Sequence, residues 1–187
     1  MKIVWGITGA GDLMPELIDI MSDVSHDPDI EITAVLSKAA HTVIHWYKLT
    51  DRLKSIAKRV CVEKDANTPF IAGPIQVGKY DLFLAAPLTA NSTAKIAHGI
   101  ADSLITNCVA QACKGDTPTY LLPVDRQVGT TTTTLPDGTP FTLKIRPVDV
   151  ANVEILRTMD DLHVLEGLDD LRQVLAERLG RGIGGTQ

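Results

Sequence analysis

The sequence predicts a single α/β domain built on a parallel, doubly wound sheet. Short apolar runs, typical of buried strands, alternate with amphipathic helical segments over the first two thirds of the chain. A glycine turn at residues 8–12 follows the first strand and precedes a helix. Residues 85–107 pass from a buried strand through a polar turn into another helix, and the rest of the chain is organised around this stretch.

The amino-acid composition limits the classes of protein to which this chain can belong. The 187 residues are 44% apolar and 22% charged, which is enough for one domain with a substantial core. A net charge of −5 and an aromatic content of 4% argue against a nucleic-acid-binding surface. Three cysteines without a C-x-x-C spacing predict neither a disulfide framework nor a zinc or iron–sulfur site, and favour reduced thiols in a cytoplasmic protein. The N-terminus reads as a strand and not as a signal peptide, and no apolar run is long enough to span a membrane.

The first strand, at 2–7, leads into the sequence T-G-A-G-D and then into a helix that tolerates Pro15 in its first turn. The helix has an apolar stripe formed by Leu13, Leu17, Ile18, Met21 and Val24. The turn matches the dinucleotide-binding motif G-x-G-x-x-G only in part, because Met14 occupies the position of the third glycine. The second strand, 30–36, is followed by Ser37, where a dinucleotide-binding fold has an acidic residue that binds the ribose. We therefore expect a mononucleotide phosphate at this turn, or else a plain tight turn. The expected phosphate contacts are Thr8, Gly9, Ala10, Gly11 and Ser37.

The next segments are less informative about function. Residues 39–57 have helical periodicity, followed by a strand at 60–63 and a loop or single helical turn at 65–79. His41 and His45 are four residues apart on the predicted helix, but no third ligand is evident, so no metal site is predicted.

The central strand, 80–86, is expected to end at Pro87, and Asn91 or Ser92 is expected to cap a helix that runs to Leu104. Thr106 and Asn107 are expected to break that helix, which resumes over 109–114 with Gly115 as its C-cap. A strand follows at 118–122. Free backbone N–H groups at the polar turn suit an anion or a cofactor, although the polar side chains would equally serve as helix caps alone.

The last third of the sequence no longer alternates buried strands with helices. Strands at 130–135 and 140–146 flank a Pro-Asp-Gly turn and predict a β-hairpin, with Phe141, Leu143 and Ile145 on one buried face. Amphipathic helices are predicted at 149–159 and 168–179. The sequence therefore predicts one domain, 1–187, with three parts. They are an α/β core at 1–125, a part with the hairpin and helices at 126–179, and a flexible glycine-rich tail at 180–187.

Residues 86–93 read A-P-L-T-A-N-S-T, and together with the T-G-A-G turn and Ser37 they resemble the P-A-S-A-N-T region of the homo-oligomeric flavin-containing Cys decarboxylase superfamily. Within it, several further segments look like the archaeal flavoprotein group that includes dihydromethanopterin reductase. They are W-G-I-T-G at 5–9, L-S-K at 36–38, W-Y-K-L at 46–49, N-x-P-F at 67–70, G-K-Y-D-L-F at 78–83 and I-T-N-x-V-A-Q-A at 105–112.

The resemblance implies a flavodoxin-like fold that binds FMN near a subunit boundary, in homo-oligomers built of trimers, with or without assembly into a cage. The phosphate is implied near the first glycine turn and Ser37, with Lys38 and Lys95 either paired with it or solvated. Contacts to the ribityl chain or the flavin ring are implied for Pro87, Leu88, Thr89, Ala90, Asn91, Thr93 and Asn107.

The resemblance implies an enzyme, an FMN-dependent oxidoreductase that reduces dihydromethanopterin to tetrahydromethanopterin with NADPH or NADH. Asp102 and Asp125 are the candidates for the source of the proton that the pterin needs, or else are solvated or helix-capping carboxylates. The alternatives are an electron-transfer flavoprotein fed by a ferredoxin-like protein and a flavin-binding assembly without turnover. A decarboxylase is disfavoured, because Gly73 stands where that branch has a catalytic His, and Leu-Pro-Val-Asp at 122–125 replaces its P-A-M-N segment.

Overall fold

The structure is a computed structural model that describes residues 1–180 and 182. Strands and helices alternate up to the fifth strand, as predicted, and the hairpin and two helices follow. The strands are β1 (Lys2–Ile7), β2 (Glu31–Leu36), β3 (Arg59–Val62), β4 (Leu82–Leu88), β5 (Thr119–Pro123), β6 (Gly129–Thr134), β7 (Pro140–Ile145) and β8 (His163–Val164). The helices are α1 (Met14–Ser25), α2 (Lys38–Trp46), α3 (Thr50–Ile56), α4 (Ala72–Gln76), α5 (Ala90–Ala97), α6 (Leu104–Ala112), α7 (Pro147–Arg157) and α8 (Leu168–Leu179).

Six parallel strands form one sheet in the order β3-β2-β1-β4-β5-β8, and the predicted flavodoxin-like, doubly wound α/β class is confirmed. The winding reverses between β1 and β4, which pair in register from Ile3 with Leu82 to Gly6 with Ala85. In such sheets ligands bind beyond the carboxyl ends of the strands at this reversal. The edge strand β8 has only two residues, too few for a periodic signal, and the sequence did not reveal it.

Alternate residues of the central strands face two separate apolar layers, as the two-residue period of a strand requires. One layer contains Ile3, Trp5 and Ile7 with the buried stripe of α1 and residues of α3 and α8. The Trp5 side chain is fully buried and donates its indole N–H to the Ala86 carbonyl at 2.8 Å. The other layer packs β1 and β4 against α4 and α6. A sheet buried on both faces explains the continuous apolar runs of β1 and β4.

Two predicted boundaries in the first half are wrong. The helix expected over 39–57 is divided into α2 and α3, because Lys48 adopts a left-handed conformation with φ of 57°. The strand expected to stop at Pro87 continues to Leu88, with a cis peptide bond before Pro87. Pro87 is tolerated because the pairing with β5 shifts register between Ala85 and Leu88, where a proline needs no ladder N–H.

The helices after β4 also differ from the prediction. α5 is capped by Thr89, not by Asn91 or Ser92, and ends at Ala97. The break lies at 98–103, and the pair Thr106-Asn107, expected to interrupt a helix, lies inside α6. The cause is a capping box, in which Ser103 and Thr106 satisfy each other's backbone N–H groups.

Two further predictions concern the C-terminal ends of α6 and α8. Cys113, not Gly115, is the C-cap residue of α6. At Gly115 a Cβ would overlap the Gln76 carbonyl, so the glycine permits close packing against α4. Most of the expected tail, residues 181 and 183–187, lies outside the described residues. Its first residue, Gly180, caps α8 with φ of 64°.

The hairpin β6–β7 is present as predicted, but its expected buried face is not. Phe141 is 48% exposed and Leu143 39% exposed, whereas Ile145, at the base, is buried. The two-residue alternation therefore distinguishes the two faces of the hairpin, but neither face is buried along its length. Within residues 1–180 and 182, no helix combines the length and the apolar composition needed to cross a membrane.

Candidate functional site

Two neighbouring cavities lie at the carboxyl ends of β1 and β4, where the winding of the sheet reverses. The first, of about 390 Å³, is bordered by Ser37, Glu63 and Lys95 and is called the polar cavity. The second, of about 460 Å³, lies between the glycine turn and the hairpin and is called the hairpin cavity. Gly9, Thr89 and Asn91 border both cavities, so the two cavities adjoin, and together they are called the groove. Volumes of this size are typical of small-molecule sites.

The wall between the cavities is fixed by Thr8, at the end of β1. Its backbone N–H and its hydroxyl both donate to the Pro87 carbonyl, at 3.1 and 2.8 Å. The Thr8 hydroxyl oxygen accepts the N–H of Thr89 at 2.8 Å. These bonds attach the glycine turn to the turn after β4, so the two segments that the sequence singled out form one unit.

The glycines of the first turn are required by close approach. A Cβ on Gly9 would lie 2.6 Å from the Ala39 Cβ, at the start of α2. A Cβ on Gly11 would lie 2.6 Å from the Tyr47 hydroxyl oxygen. A side chain at Gly9 would force the turn away from α2, whereas one at Gly11 would displace the Tyr47 ring, so Gly9 keeps the backbone of the turn at the border of the groove.

Three helices begin at the polar cavity. Ser37 caps α2 by accepting the N–H of Ala40 at 3.0 Å, and Thr89 caps α5 by accepting the N–H of Ser92 at 3.3 Å. Ser103, the cap of α6, borders the same cavity. Helix N-termini carry partial positive charge, so their convergence favours an anionic ligand group.

Glu63, which directly follows β3, occupies two of these helix ends. Its carboxylate accepts the backbone N–H of Lys38, at the start of α2, at 3.0 Å. It also accepts the N–H of Leu104, at the start of α6, at 3.1 Å. Sequence reasoning missed this residue, and the available signal was an acid immediately after a short strand. With those N–H groups satisfied, the N-terminus of α5, the glycine turn and the Ser37 hydroxyl remain for an anionic group.

Lys95 and Lys38, which both line the polar cavity, differ in their surroundings. The Lys95 ammonium forms a bidentate ion pair with Asp102, with N–O distances of 2.7 and 2.9 Å. The Lys38 side chain is exposed at the border of the polar cavity. Asp102, one of the two candidate proton donors, is therefore held by a cation and borders neither cavity.

The hairpin cavity combines apolar walls with ionisable groups. Phe141 and Leu143, the exposed apolar residues of β7, line it, and Tyr47 donates its hydroxyl to the Thr134 carbonyl at 2.7 Å. Asp12 and Asp125 also line this cavity.

Burial raises the pKa of the Asp12 carboxyl, and the charge of Glu16 raises it further. Burial also raises the pKa of Asp125, followed by the charges of Asp149 and Asp12. The pKa of the Tyr47 phenol is raised by burial and by Asp12. The hairpin cavity therefore holds carboxyl groups that retain a proton to higher pH than exposed ones.

The structure brings together nine of the thirteen residues expected to bind the cofactor. The nine that border one or both cavities are Thr8, Gly9, Ala10, Gly11, Ser37, Lys38, Thr89, Ala90 and Asn91. Pro87, Leu88 and Thr93 border neither cavity and lie buried within or directly beside the β4–α5 turn. The Thr93 hydroxyl is buried without a hydrogen-bond partner among the described residues.

Asn107 lies apart from both cavities. Its amide nitrogen donates to the Ala66 carbonyl at 2.8 Å and to the Asn67 side-chain oxygen at 3.0 Å. Its side-chain oxygen accepts from Gln111 at 3.4 Å. In this chain Asn107 therefore connects α6 to the loop after β3.

Comparison with known proteins identifies related chains. The family model described as Flavoprotein matches residues 1–174. An uncharacterized protein of Methanocaldococcus jannaschii is 48% identical over 179 residues, 96% of this chain and 96% of that protein. The dihydromethanopterin reductase (acceptor) of the same organism is 39% identical over 143 residues, 73% of this chain. The matched region covers only 58% of that reductase, so this chain corresponds to a little over half of its length.

A solved structure matches over almost the whole chain. The crystal structure of Burkholderia xenovorans DmrB in complex with FMN, described as a cubic protein cage for redox transfer, has a TM-score of 0.79 at 31% identity. The match covers 96% of this chain and 95% of that chain.

Proposed function

Because the chain belongs to the Flavoprotein family, we propose that it binds FMN in the groove and acts as a flavin-dependent reductase. The resemblance drawn from residues 86–93 is confirmed by that membership. The observation that carries the proposal is that a polar cavity, where helices begin, adjoins a more apolar cavity beneath the hairpin. A flavin mononucleotide has a matching polarity, with a phosphate at one end and a planar aromatic ring at the other.

The residues present fit an FMN phosphate. Gly9 and Gly11 hold the first turn where a Cβ would clash, and Ser37 presents a hydroxyl beside this turn. We place the phosphate at the turn and Ser37, and the ribityl chain and ring along the Thr89–Asn91 segment. DmrB, similar over almost the whole chain, has been solved in complex with FMN.

Bound FMN supplies hydride transfer between a reduced nicotinamide and an electron-poor double bond. The chain supplies the rest: the glycine turn and Ser37 bind the phosphate, the Thr8–Pro87–Thr89 hydrogen bonds orient the walls, and the hairpin residues supply an apolar wall for the ring. We propose dihydromethanopterin as the acceptor and NADPH or NADH as the donor. The acceptor is supported by the 39% identity to a dihydromethanopterin reductase (acceptor).

We further propose that the chain works in the cytoplasm as a homo-oligomer built of trimers. Phe141 and Leu143 remain exposed on the hairpin, and the similar DmrB is described as a cubic protein cage. The three cysteines are free thiols, which agrees with a reducing compartment. Light scattering coupled to size-exclusion chromatography measures the oligomer, and a monomeric mass at micromolar concentration would contradict this part of the proposal.

The central experiment is an anaerobic stopped-flow measurement. FMN-loaded protein is mixed with NADPH, and separately with NADH, and flavin absorbance is followed. Rapid bleaching by either nucleotide, followed by reoxidation on addition of dihydromethanopterin, is the expected result. If neither nucleotide reduces a flavin that dithionite does reduce, the nicotinamide donor is refuted, and the result favours the alternative of an electron-transfer protein fed by a ferredoxin-like donor. Failure to retain FMN at all would contradict the flavin site itself.

The placement of the flavin is tested by flavin content. Ser37→Asp is expected to expel FMN, because the new carboxylate would repel the phosphate. Asn91→Ala is expected to weaken flavin binding or change the reduction rate with the fold intact. The matched control is Ser55→Asp, an exposed serine on α3 away from both cavities. Equal FMN content in all three variants and the parent protein would refute the placement.

A further inference from the structure

Two carboxyl groups from different elements meet at the hairpin cavity. Asp12 lies in the turn before α1, and Asp125 lies two residues beyond β5. Both border the cavity that Phe141 and Leu143 enclose from the hairpin side. Acidic side chains at an apolar-walled cavity require an explanation, since carboxylates favour full solvation unless a cation or hydrogen-bond donors replace the water.

No cation within ion-pair distance neutralises either carboxylate among residues 1–180 and 182. Arg126 is the adjacent cation, but its guanidinium donates to the Pro123 carbonyl. Arg146 is committed to Asp149, to which it donates twice, at 2.8 and 2.7 Å. The arginines near Asp125 therefore have other partners.

The charged groups that face Asp125 come from four segments of the chain. Asp12 approaches from the β1–α1 turn and Asp149 from α7, and both are acidic and disfavour a second negative charge. Arg146, after β7, and Arg126, after β5, act in the opposite direction. Burial and the two acids outweigh the arginines, so the pKa of Asp125 lies above its ordinary value.

We propose that Asp125 is the catalytic acid of the hairpin cavity and that Asp12 is a positioning residue that keeps the proton on it. This proposal rests on the proposed function, in which an acceptor with a carbon–nitrogen double bond is reduced. When bound and reduced, FMN would supply two electrons as a hydride to the carbon, and the Asp125 carboxyl donates its proton to the nitrogen. The N–H bond of the hydride donor, the C=N π bond of the acceptor and the carboxyl O–H bond break, and a C–H and an N–H bond form on the acceptor. The donor is oxidised by two electrons as the acceptor is reduced by two, and water reprotonates the carboxylate.

Other groups near the groove are less suited to this role. Asp102 is exposed and ion-paired with Lys95. The Tyr47 phenol has its proton committed to the Thr134 carbonyl. Of the two half-buried carboxyls that line this cavity, Asp125 is the one whose charged form is disfavoured by two other acids, Asp149 and Asp12.

The test is a single turnover of the FMN-loaded protein, reduced with dithionite and mixed anaerobically with dihydromethanopterin at a series of pH values. In the parent protein we expect flavin reoxidation to slow as pH rises through the apparent pKa of the carboxyl pair. Asp125→Asn should slow reoxidation by about 10²–10⁴-fold and abolish this pH dependence, with FMN content unchanged. Asp12→Asn should keep the reaction but shift the fall in rate to lower pH.

The matched control is Asp116→Asn, which removes an exposed carboxyl three residues before β5, at the opposite end of the strand from Asp125. It should leave both rate and pH profile unchanged. An infrared titration of the flavin-free protein measures the protonated carboxyl without turnover. We expect a protonated carboxyl above the ordinary aspartate range that Asp125→Asn removes and Asp116→Asn does not.

The outcomes separate the two proposals. If the parent protein reoxidises but Asp125→Asn matches Asp116→Asn, or if the infrared titration is ordinary, the assignment of Asp125 fails and the proposed function stands. If dihydromethanopterin does not reoxidise the reduced parent protein at any pH, the proposed function fails, and the assignment fails with it.

Discussion

Replacing Glu63 by Gln tests how this chain organises the polar cavity. The carboxylate accepts one N–H from the start of α2 and one from the start of α6. A glutamine has nearly the same size but only one acceptor oxygen, and its NH₂ group cannot accept the second N–H. Leu104 is fully buried, so loss of its acceptor would leave a backbone N–H without a partner.

The size of the effect follows from these contacts. An unsatisfied buried N–H costs about 1–3 kcal/mol. Loss of a negative charge at a helix N-terminus costs about 0.3–1 kcal/mol for each helix. The free energy of unfolding should therefore fall by about 3 kcal/mol in Glu63→Gln. For a chain of this size the corresponding fall in Tm is about 6–12 °C.

The assay is denaturant and thermal unfolding of the flavin-free protein at one fixed protein concentration, because oligomerisation makes apparent stability depend on concentration. Glu177→Gln is the control, since Glu177 is exposed on α8 and its hydrogen-bond donor is the side chain of Gln173 and not a backbone N–H at a helix start. Hydrogen exchange should also accelerate at the first turns of α2 and α6. A loss below about 0.5 kcal/mol, or one equal to that of the control, would refute the role of Glu63 as a shared cap.

Three further predictions concern the groove and its surroundings. Tyr47→Phe removes the hydrogen bond to the Thr134 carbonyl, so protease cleavage within the hairpin should become faster while the core keeps its Tm. Gly9→Ala should lower bound FMN per chain, measured after purification, because its Cβ would meet the first turn of α2; unchanged occupancy would contradict the cradle. Hydrogen bonds from Arg146 lower the pKa of Asp149 in the folded protein. The charged Asp149 carboxylate therefore stabilises the fold at pH values above its unfolded pKa, and this stabilisation is lost as the pH falls through its folded pKa. Asp149→Asn should therefore destabilise at pH 7 and approach the parent protein below about pH 4 in urea titrations, whereas a pH-independent difference would contradict the ion pair.

The architecture was predictable because each core element carries its own local signal. Five of the six sheet strands are apolar runs bounded by glycine, proline or polar residues, and α1 and α8 have clear amphipathic periodicity. The glycine turn and the turn after β4 were also recognisable as site elements, because their residue types suit exposed backbone N–H groups at helix starts. The sequence further indicated Ser37 at the end of β2, and the structure places it at the polar cavity.

The errors arose where distant residues decide a local outcome. Pro87 stays within β4 because the pairing with β5 shifts register there. Asn107 stays inside α6 because Ser103 begins that helix, and its amide is satisfied by a loop forty residues earlier. Periodicity contains no information on such partners.

The sequence alone determined the alternation of strands and helices, the two turns that border the groove and the similarity to flavoproteins, since these depend on residue types at short spacing. Only the tertiary structure decided that Glu63 closes two helix ends and that Asp12 and Asp125 share one cavity. It also decided that the apolar residues of the hairpin line a groove instead of a core. The physical reason is that burial, shared hydrogen-bond acceptors and charge coupling depend on distances in space, and strand order brings together residues more than one hundred positions apart.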